Sequence, residues 1–188
     1  MSDAISVMNG ATADGAVHLA DAGLCGMITL RGDLGDAGLA AAVKSVIGLS
    51  IPKPRQIKQG RKGGVAWMSP DELLLFVRYE VADASVAKLT ATLGDAHHLA
   101  ANVSDARAMF TLTGAGVRQV IAKGAPVDMS ETGLPVGELR RSRIGQIAAA
   151  FWLSDAETLH VVCFRSVGQH MFSWLKMAAE TGTLPEIL

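Results

Sequence analysis

Cysteine is scarce: Cys25 and Cys163 are the only two in 188 residues. Two thiols cannot make a disulfide framework, and a cytoplasmic chain with reduced cysteines is the simplest reading. Aromatic residues make up 5% of the chain, which leaves little material for stacking on nucleic-acid bases. No charge of either sign dominates, since 17 Lys+Arg oppose 18 Asp+Glu for a formal net charge of -1. A dedicated nucleic-acid or membrane-surface binder needs a cationic excess, so both classes are excluded on balance. No apolar run approaches the ~18 residues of a membrane span. Residues 1–21 hold no Lys or Arg, which reads against a secretory or transit segment. Apolar residues, by contrast, are 49% of the sequence, enough for a substantial core at this length.

The pattern along the chain is mixed. Residues 1–22 are rich in Ala, Gly and Asp without lasting periodicity and read as a flexible arm. Met27 to Leu30 reads as a strand. A helix follows, capped by Asp36, with an apolar stripe of Leu39, Val43, Val46 and Ile47 and a stop at Gly48. Residues 50–64 are polar, basic and Pro/Gly-bearing, as in a long loop. Val65 to Met68 and Leu73 to Val77 form a hairpin across Ser69-Pro70-Asp71-Glu72. Asp83 is then placed to cap a second helix. In the second half, Met109 to Thr113 is a strand, Val117 to Ile121 a short helix, and Ile144 to Leu153 with Leu159 to Phe164 a hairpin. Ser166 is placed to cap the last helix.

Subtraction suggests that this order repeats. Ile28-Thr29-Leu30-Arg31-Gly32 matches Phe110-Thr111-Leu112-Thr113-Gly114 at an offset of 82. The hairpins match at 85 without a gap, through Trp67/Trp152, Ser69/Ser154, Glu72/Glu157 and Leu74/Leu159. The expected fold class is therefore α+β, with an internally duplicated β-α-β-β-α unit (repeats about 27–94 and 107–180) forming a single domain over 23–188.

A search for reacting groups returns little. His97-His98 is the only histidine pair, and neighbours on a strand point to opposite faces, which does not suit one metal ion. No histidine has a carboxylate at an evident orienting spacing, which leaves no candidate catalytic base. Cys163 lies in an apolar run and Cys25 lacks a basic neighbour, so neither reads as a nucleophile. Leu112-Thr113-Gly114-Ala115-Gly116 resembles the start of a phosphate loop. It lacks the third glycine of a dinucleotide fingerprint and reads instead as a tight strand-to-helix turn. Trp67, Trp152 and Trp174 fall on core-facing positions. No catalytic, cofactor-binding or metal-ligating residue is assigned.

Two basic clusters stand out. Lys53, Arg55, Lys58, Arg61 and Lys62 fall within ten residues that hold no acid. Arg140, Arg141 and Arg143 precede the second hairpin, with Arg141 and Arg143 on one face of an extended segment. Solvated loop and edge-strand protection account for such cations; contact with an acidic partner or an anionic ligand is the sharper expectation.

Several segments, in order and spacing, are similar to the sarcosine oxidase gamma subunit family. They are Trp67 followed by Ser69-Pro70-Asp71-Glu72-Leu73-Leu74-Leu75, then Val103-Ser104-Asp105 with Arg107, and Leu112-Thr113-Gly114. The run from Val117-Arg118-Gln119-Val120 to Val127-Asp128, Leu134-Pro135-Val136-Gly137 and the terminal Trp174-Leu175 complete the resemblance, which covers roughly residues 27–178. It implies a folate-binding-domain-like fold related to the aminomethyltransferase of glycine cleavage. It also implies a heterotetramer with alpha, beta and delta chains that oxidatively demethylates sarcosine to glycine. The products are hydrogen peroxide and formaldehyde or methylenetetrahydrofolate. On that reading the complex is the enzyme and this chain is a non-catalytic assembly subunit. FAD, FMN, NAD, zinc and tetrahydrofolate belong to its partners, and none to this chain. The alternative is a stand-alone folate-binding or one-carbon transfer module, with the two basic clusters receiving folate carboxylates.

Overall fold

The computed structural model describes residues 4–185. In chain order its strands and helices are β1 (Thr12–Asp14), β2 (His18–Asp21), β3 (Gly26–Arg31), α1 (Ala37–Ile47), β4 (Ile57–Gly60), β5 (Gly63–Ser69), β6 (Glu72–Val77), α2 (Ala82–Leu93), β7 (Leu99–Asn102), β8 (Arg107–Thr113), α3 (Val117–Ala122), β9 (Leu139–Ile144), β10 (Ile147–Leu153), β11 (Thr158–Phe164) and α4 (Gly168–Ala178). The chain divides into two compact units: an inserted unit, Leu24–Asp105, and a split unit formed by the segments on either side of it.

Each unit has one antiparallel sheet with its own core. The inserted unit orders its strands β4-β5-β6-β3-β7. Ile28, Leu30, Val65, Leu73 and Leu75 pack there against Leu39, Val43 and Ile47 of α1 and Leu89 and Leu93 of α2. Asp36 caps α1, its side chain accepting from the Leu39 N–H at 2.8 Å, and Gly48 closes the helix at φ 79. The split unit orders its strands β1-β2-β8-β11-β10-β9. Phe110, Leu112, Phe151, Leu159 and Val161 pack against Val120 and Ile121 of α3 and Met171 and Leu175 of α4. β6 is buried along its whole length, whereas β8 alternates buried and partly exposed positions.

Several expectations are corrected. The segment 1–22 was expected to be an arm, yet β1 and β2 are strands, and β2 pairs with β8 from Asp21↔Phe110 to His18↔Thr113. Composition hid them, because few of their residues are apolar and the ladder partner lies far along the chain. The expected loop 50–64 contains β4, whose one buried apolar residue, Ile57, pairs with Ala66. The expected strand from Ile144 breaks at a two-residue turn, Gly145-Gln146, which turns β9 back onto β10. Gly145 has φ 59 and lies against the Trp174 ring, so the turn tolerates no larger residue there. Neither Asp83 nor Ser166 caps a helix: a 3-10 turn leads into both α2 and α4. Asp83 instead accepts from Asn102 Nδ2 at 2.7 Å.

The offset-85 pairing also fails as a structural equivalence. Trp67 packs on the helix-covered face of its sheet, whereas Trp152 is absent from the helix-covered core and stacks on His160 at 5.1 Å. Ladder register equates Val65 with Phe151 and Leu75 with Val161, which is an offset of 86. A one-residue slip moves every side chain to the other face of a sheet.

Candidate functional site

The cations singled out from the sequence fall at the edges of the two sheets. In the inserted unit they surround β4. Residues 53–56 form a turn closed by the Gln56 N–H on the Lys53 carbonyl at 3.1 Å, with Arg55 at φ 62. Lys58 is committed internally, its Nζ donating to Ser50 Oγ at 2.6 Å and to the Ile51 carbonyl at 3.2 Å. Arg61 and Lys62 are the two turn residues between the paired Gly60 and Gly63. Lys53, Arg61 and Lys62 are exposed, and their side chains make no hydrogen bond or ion pair among the described residues. From residue 37 to residue 70 the only charged side chains are Lys44, Lys53, Arg55, Lys58, Arg61 and Lys62, without one Asp or Glu.

The other cluster lies on β9 in the split unit, so the two clusters do not share a sheet. Arg140 is a structural tie: it pairs with Glu138, and its Nη2 donates to the Gly133 carbonyl at 2.7 Å. Arg118 of α3 does similar work on the same loop, its Nη1 donating to the carbonyls of Met129, Ser130 and Leu134 at 2.8, 3.1 and 2.9 Å. A guanidinium facing three carbonyls ties the loop to the helix, in addition to the loop's own bond from the Leu134 N–H to the Ser130 carbonyl. Arg141 and Arg143 are exposed at alternate positions, as their spacing predicts.

The titratable groups are dispersed. Cys163 is buried and Cys25 half-buried, and burial pushes both thiols up to about 11, away from the reactive thiolate. His160 is half-buried on Trp152, between Ser154 Oγ at 3.1 Å and Thr111 Oγ1 at 3.3 Å. Burial depresses its pKa below the ordinary value, partly opposed by Asp155. One histidine does have a carboxylate, contrary to the expectation: Asp14 Oδ1 lies 2.6 Å from His18 Nδ1. The hairpin of β1 and β2 sets them directly opposite each other, a register that sequence spacing does not display. Both side chains are exposed, and this is a surface pair.

His97 and His98 precede β7 and line a shallow cavity of about 200 Å³ with Asp33, Asp36, Leu39, Leu93 and Ala96. Three of its four polar side chains are already engaged. Asp33 accepts from the Gly35 N–H, Asp36 caps α1, and His98 Nδ1 lies 2.7 Å from the Ala96 carbonyl. Among the described residues no three His, Cys, Asp or Glu are grouped to hold a metal ion. The Gly114-Ala115-Gly116 turn is filled by the protein itself: a Cβ on Gly116 would meet Leu184 at 2.7 Å and Val17 at 3.4 Å. A phosphate has no room there, and α3 is too short to supply an N-terminal anion site. Charge and unpaired backbone are concentrated at the sheet edges.

The profile of the sarcosine oxidase, gamma subunit family matches residues 31–181. The chain belongs to that family. Among solved structures, this gamma-family chain is similar to the heterotetrameric sarcosine oxidase from Corynebacterium sp. U-96 in complex with pyrrole 2-carboxylate. The TM-score is 0.80 at 22% identity, over 89% of this chain and 87% of the matched one. It is also similar to the glycine cleavage system aminomethyltransferase T from Bartonella henselae, with a TM-score of 0.61 at 11% identity, over 84% of this chain and 45% of that one. At such identities the likeness is one of fold. No curated protein matches the sequence. None of the described helices is long and apolar enough to cross a membrane.

Proposed function

We propose that the chain is the non-catalytic gamma subunit of a heterotetrameric sarcosine oxidase, which holds the larger chains of a complex that oxidatively demethylates sarcosine to glycine. Hydrogen peroxide and either formaldehyde or methylenetetrahydrofolate would be the products, formed on the alpha, beta and delta chains. The observation that carries this reading is the family match over residues 31–181. The dispersed titratable groups and the self-filled glycine turn agree with FAD, FMN, NAD, zinc and tetrahydrofolate being held by the partners. Lys53, Arg61, Lys62 and Arg143 are the best placed of the eight cations for partner contact, because Lys58 and Arg140 are used internally. Native mass spectrometry of the tagged chain from its own cell tests the assembly. Four different chains with flavin absorbance are expected, and a chain recovered alone overturns the reading. Trp fluorescence that shifts on micromolar folinic acid added to the isolated chain would favour a folate module instead.

The finer fold reading is an internal duplication, supported by topology rather than by the offset-85 match. In each unit a helix follows the central strand, then a three-strand meander, a 3-10 turn and a second helix. The central strands β3 and β8 correspond at 82, and the stretch from β5 through α2 corresponds to that from β10 through α4 at 86. The strand preceding each central strand is exchanged between the proposed repeats, while each stays within one compact unit. β2 precedes β3 in sequence but pairs with β8, while β7 precedes β8 but pairs with β3. The registers agree, since Asp21↔Phe110 corresponds to Asn102↔Ile28. So do the flanking bonds: Ala22 N–H to the Met109 carbonyl and Val103 N–H to the Met27 carbonyl.

A further inference from the structure

The outer edge of the inserted sheet has no strand paired to it and carries one sign of charge. The Trp67 N–H bonds the Gln56 carbonyl at 2.9 Å, and β4 pairs with β5 through Lys58↔Val65 and Gly60↔Gly63. Antiparallel pairing alternates, so residues 56, 58 and 60 turn their N–H and C=O groups toward β5. Those of Ile57 and Gln59 therefore point away from the sheet. β4 is the last strand of its sheet, and no described backbone group pairs with them. Such an edge templates a further strand. Cations flank it at both ends, with Lys53 before β4 and Arg61 and Lys62 in the turn after it. No Asp or Glu occurs from 37 to 70, and none of these three cations forms an ion pair among the described residues.

We propose that β4 is a strand-addition edge that accepts an extended, acidic segment of a partner chain in the assembly. The backbone of Ile57 and Gln59 would supply the main-chain bonds. Lys53, Arg61 and Lys62 would select carboxylates along the incoming strand and steer it at low ionic strength. This rests on the subunit reading given above and names the kind of surface by which one partner is held. Edge cations also oppose aggregation between copies of this chain, because two such edges repel each other. An acidic strand is the partner that this charge pattern admits.

Two full-length variants test it. Gln59→Pro removes an outward N–H and leaves the ladder to β5 intact, a position at which proline is tolerated on an edge strand. Arg61→Glu with Lys62→Glu reverses charge in an exposed turn without touching any ladder bond. Each is coexpressed with tagged wild type in the native cell, and far-UV circular dichroism checks that the fold is kept. Each variant is expected to enter the assembly about tenfold less than wild type or worse, with the charge reversal losing its effect at high salt. In hydrogen exchange, the amides of Ile57 and Gln59 are expected to be open in the isolated chain and protected in the assembly. A wild-type chain recovered alone overturns the subunit reading and this proposal with it. A wild-type chain recovered in an assembly that both folded variants enter equally well, or in which those two amides stay open, overturns this proposal alone.

Discussion

Trp152→Ala tests the packing logic most directly. Trp152 is 1% exposed, its ring stacks on His160 at 5.1 Å, and it lies across from Leu139 and His160 in the β10 ladders. A buried aromatic removes about 150–250 Å² from water, which at ~25 cal/mol per Å² is about 4–6 kcal/mol. A denatured chain is already partly compact, which lowers this to about 3–5 kcal/mol, the range usual for truncating a buried tryptophan. Urea unfolding followed by circular dichroism reads the change. With a slope near ~3 kcal/mol per M, the midpoint should fall by about 1–2 M. The same substitution lets water reach His160, so its pKa should rise toward the ordinary value in an NMR titration. A midpoint within about 0.2 M of wild type, with His160 unmoved, would refute the placement of Trp152 in the interior.

Other outcomes follow from single residues. His160 has a folded pKa below its unfolded value, so the unfolded chain binds its proton first. Stability should therefore fall as pH drops through the ordinary histidine value, levelling off once the folded pKa is passed. His160→Gln should flatten that part of the profile in melts taken from pH 8 to pH 5. Gly63 has φ 143, and a Cβ there would lie 2.0 Å from the Phe76 carbonyl oxygen. Gly63→Ala should accordingly cost about 2–4 kcal/mol, through strain and overpacking, in a thermal or urea melt. With both thiols near 11, iodoacetamide at pH 8 should label Cys25 and Cys163 far more slowly than free cysteine. Cys25 should be labelled first as pH is raised, because Cys163 is buried; equal fast labelling by mass spectrometry would contradict the burial of both.

The elements legible from periodicity are those whose side chains enter a core. β5 and β6 were readable as a hairpin, and α1 from its stripe and cap, because apolar period and turn residues agreed. The elements that escaped are edge strands, together with β2 between β1 and β8, held by backbone ladders. β7 has one large apolar residue, Leu99, and it is exposed. β4 has Ile57 alone, and β1 offers only small or polar residues. Their stability comes from partners that composition does not reveal. The basic clusters were visible as clusters, but their division of labour was not. Lys58 and Arg141 look alike in sequence, and only coordinates place the first on Ser50 Oγ and the second at an exposed strand position.

The same physics bears on the proposed duplication, in which identical letters and ladder register point to different residue pairs. The hairpin of β9 and β10 is longer than that of β4 and β5 by two residues on each strand, which moves the true offset from 82 to 86. A gapless comparison meets Trp-x-Ser-x-x-Glu-x-Leu one step early and stops there, since identical letters outweigh register when faces are invisible. The faces decide. A residue lining a helix-covered core in one unit should correspond to one lining such a core in the other. Val65 and Phe151 meet that condition, as do Leu73 with Leu159 and Leu75 with Val161. If the proposed duplication is right, substitutions should track face rather than letter: Leu75→Ala and Val161→Ala should each destabilise the unit that contains it, read by hydrogen exchange unit by unit. A pair matched at 85, such as Leu74 with Leu159, should show no such correspondence, because Leu159 belongs to the helix-covered core and Leu74 does not.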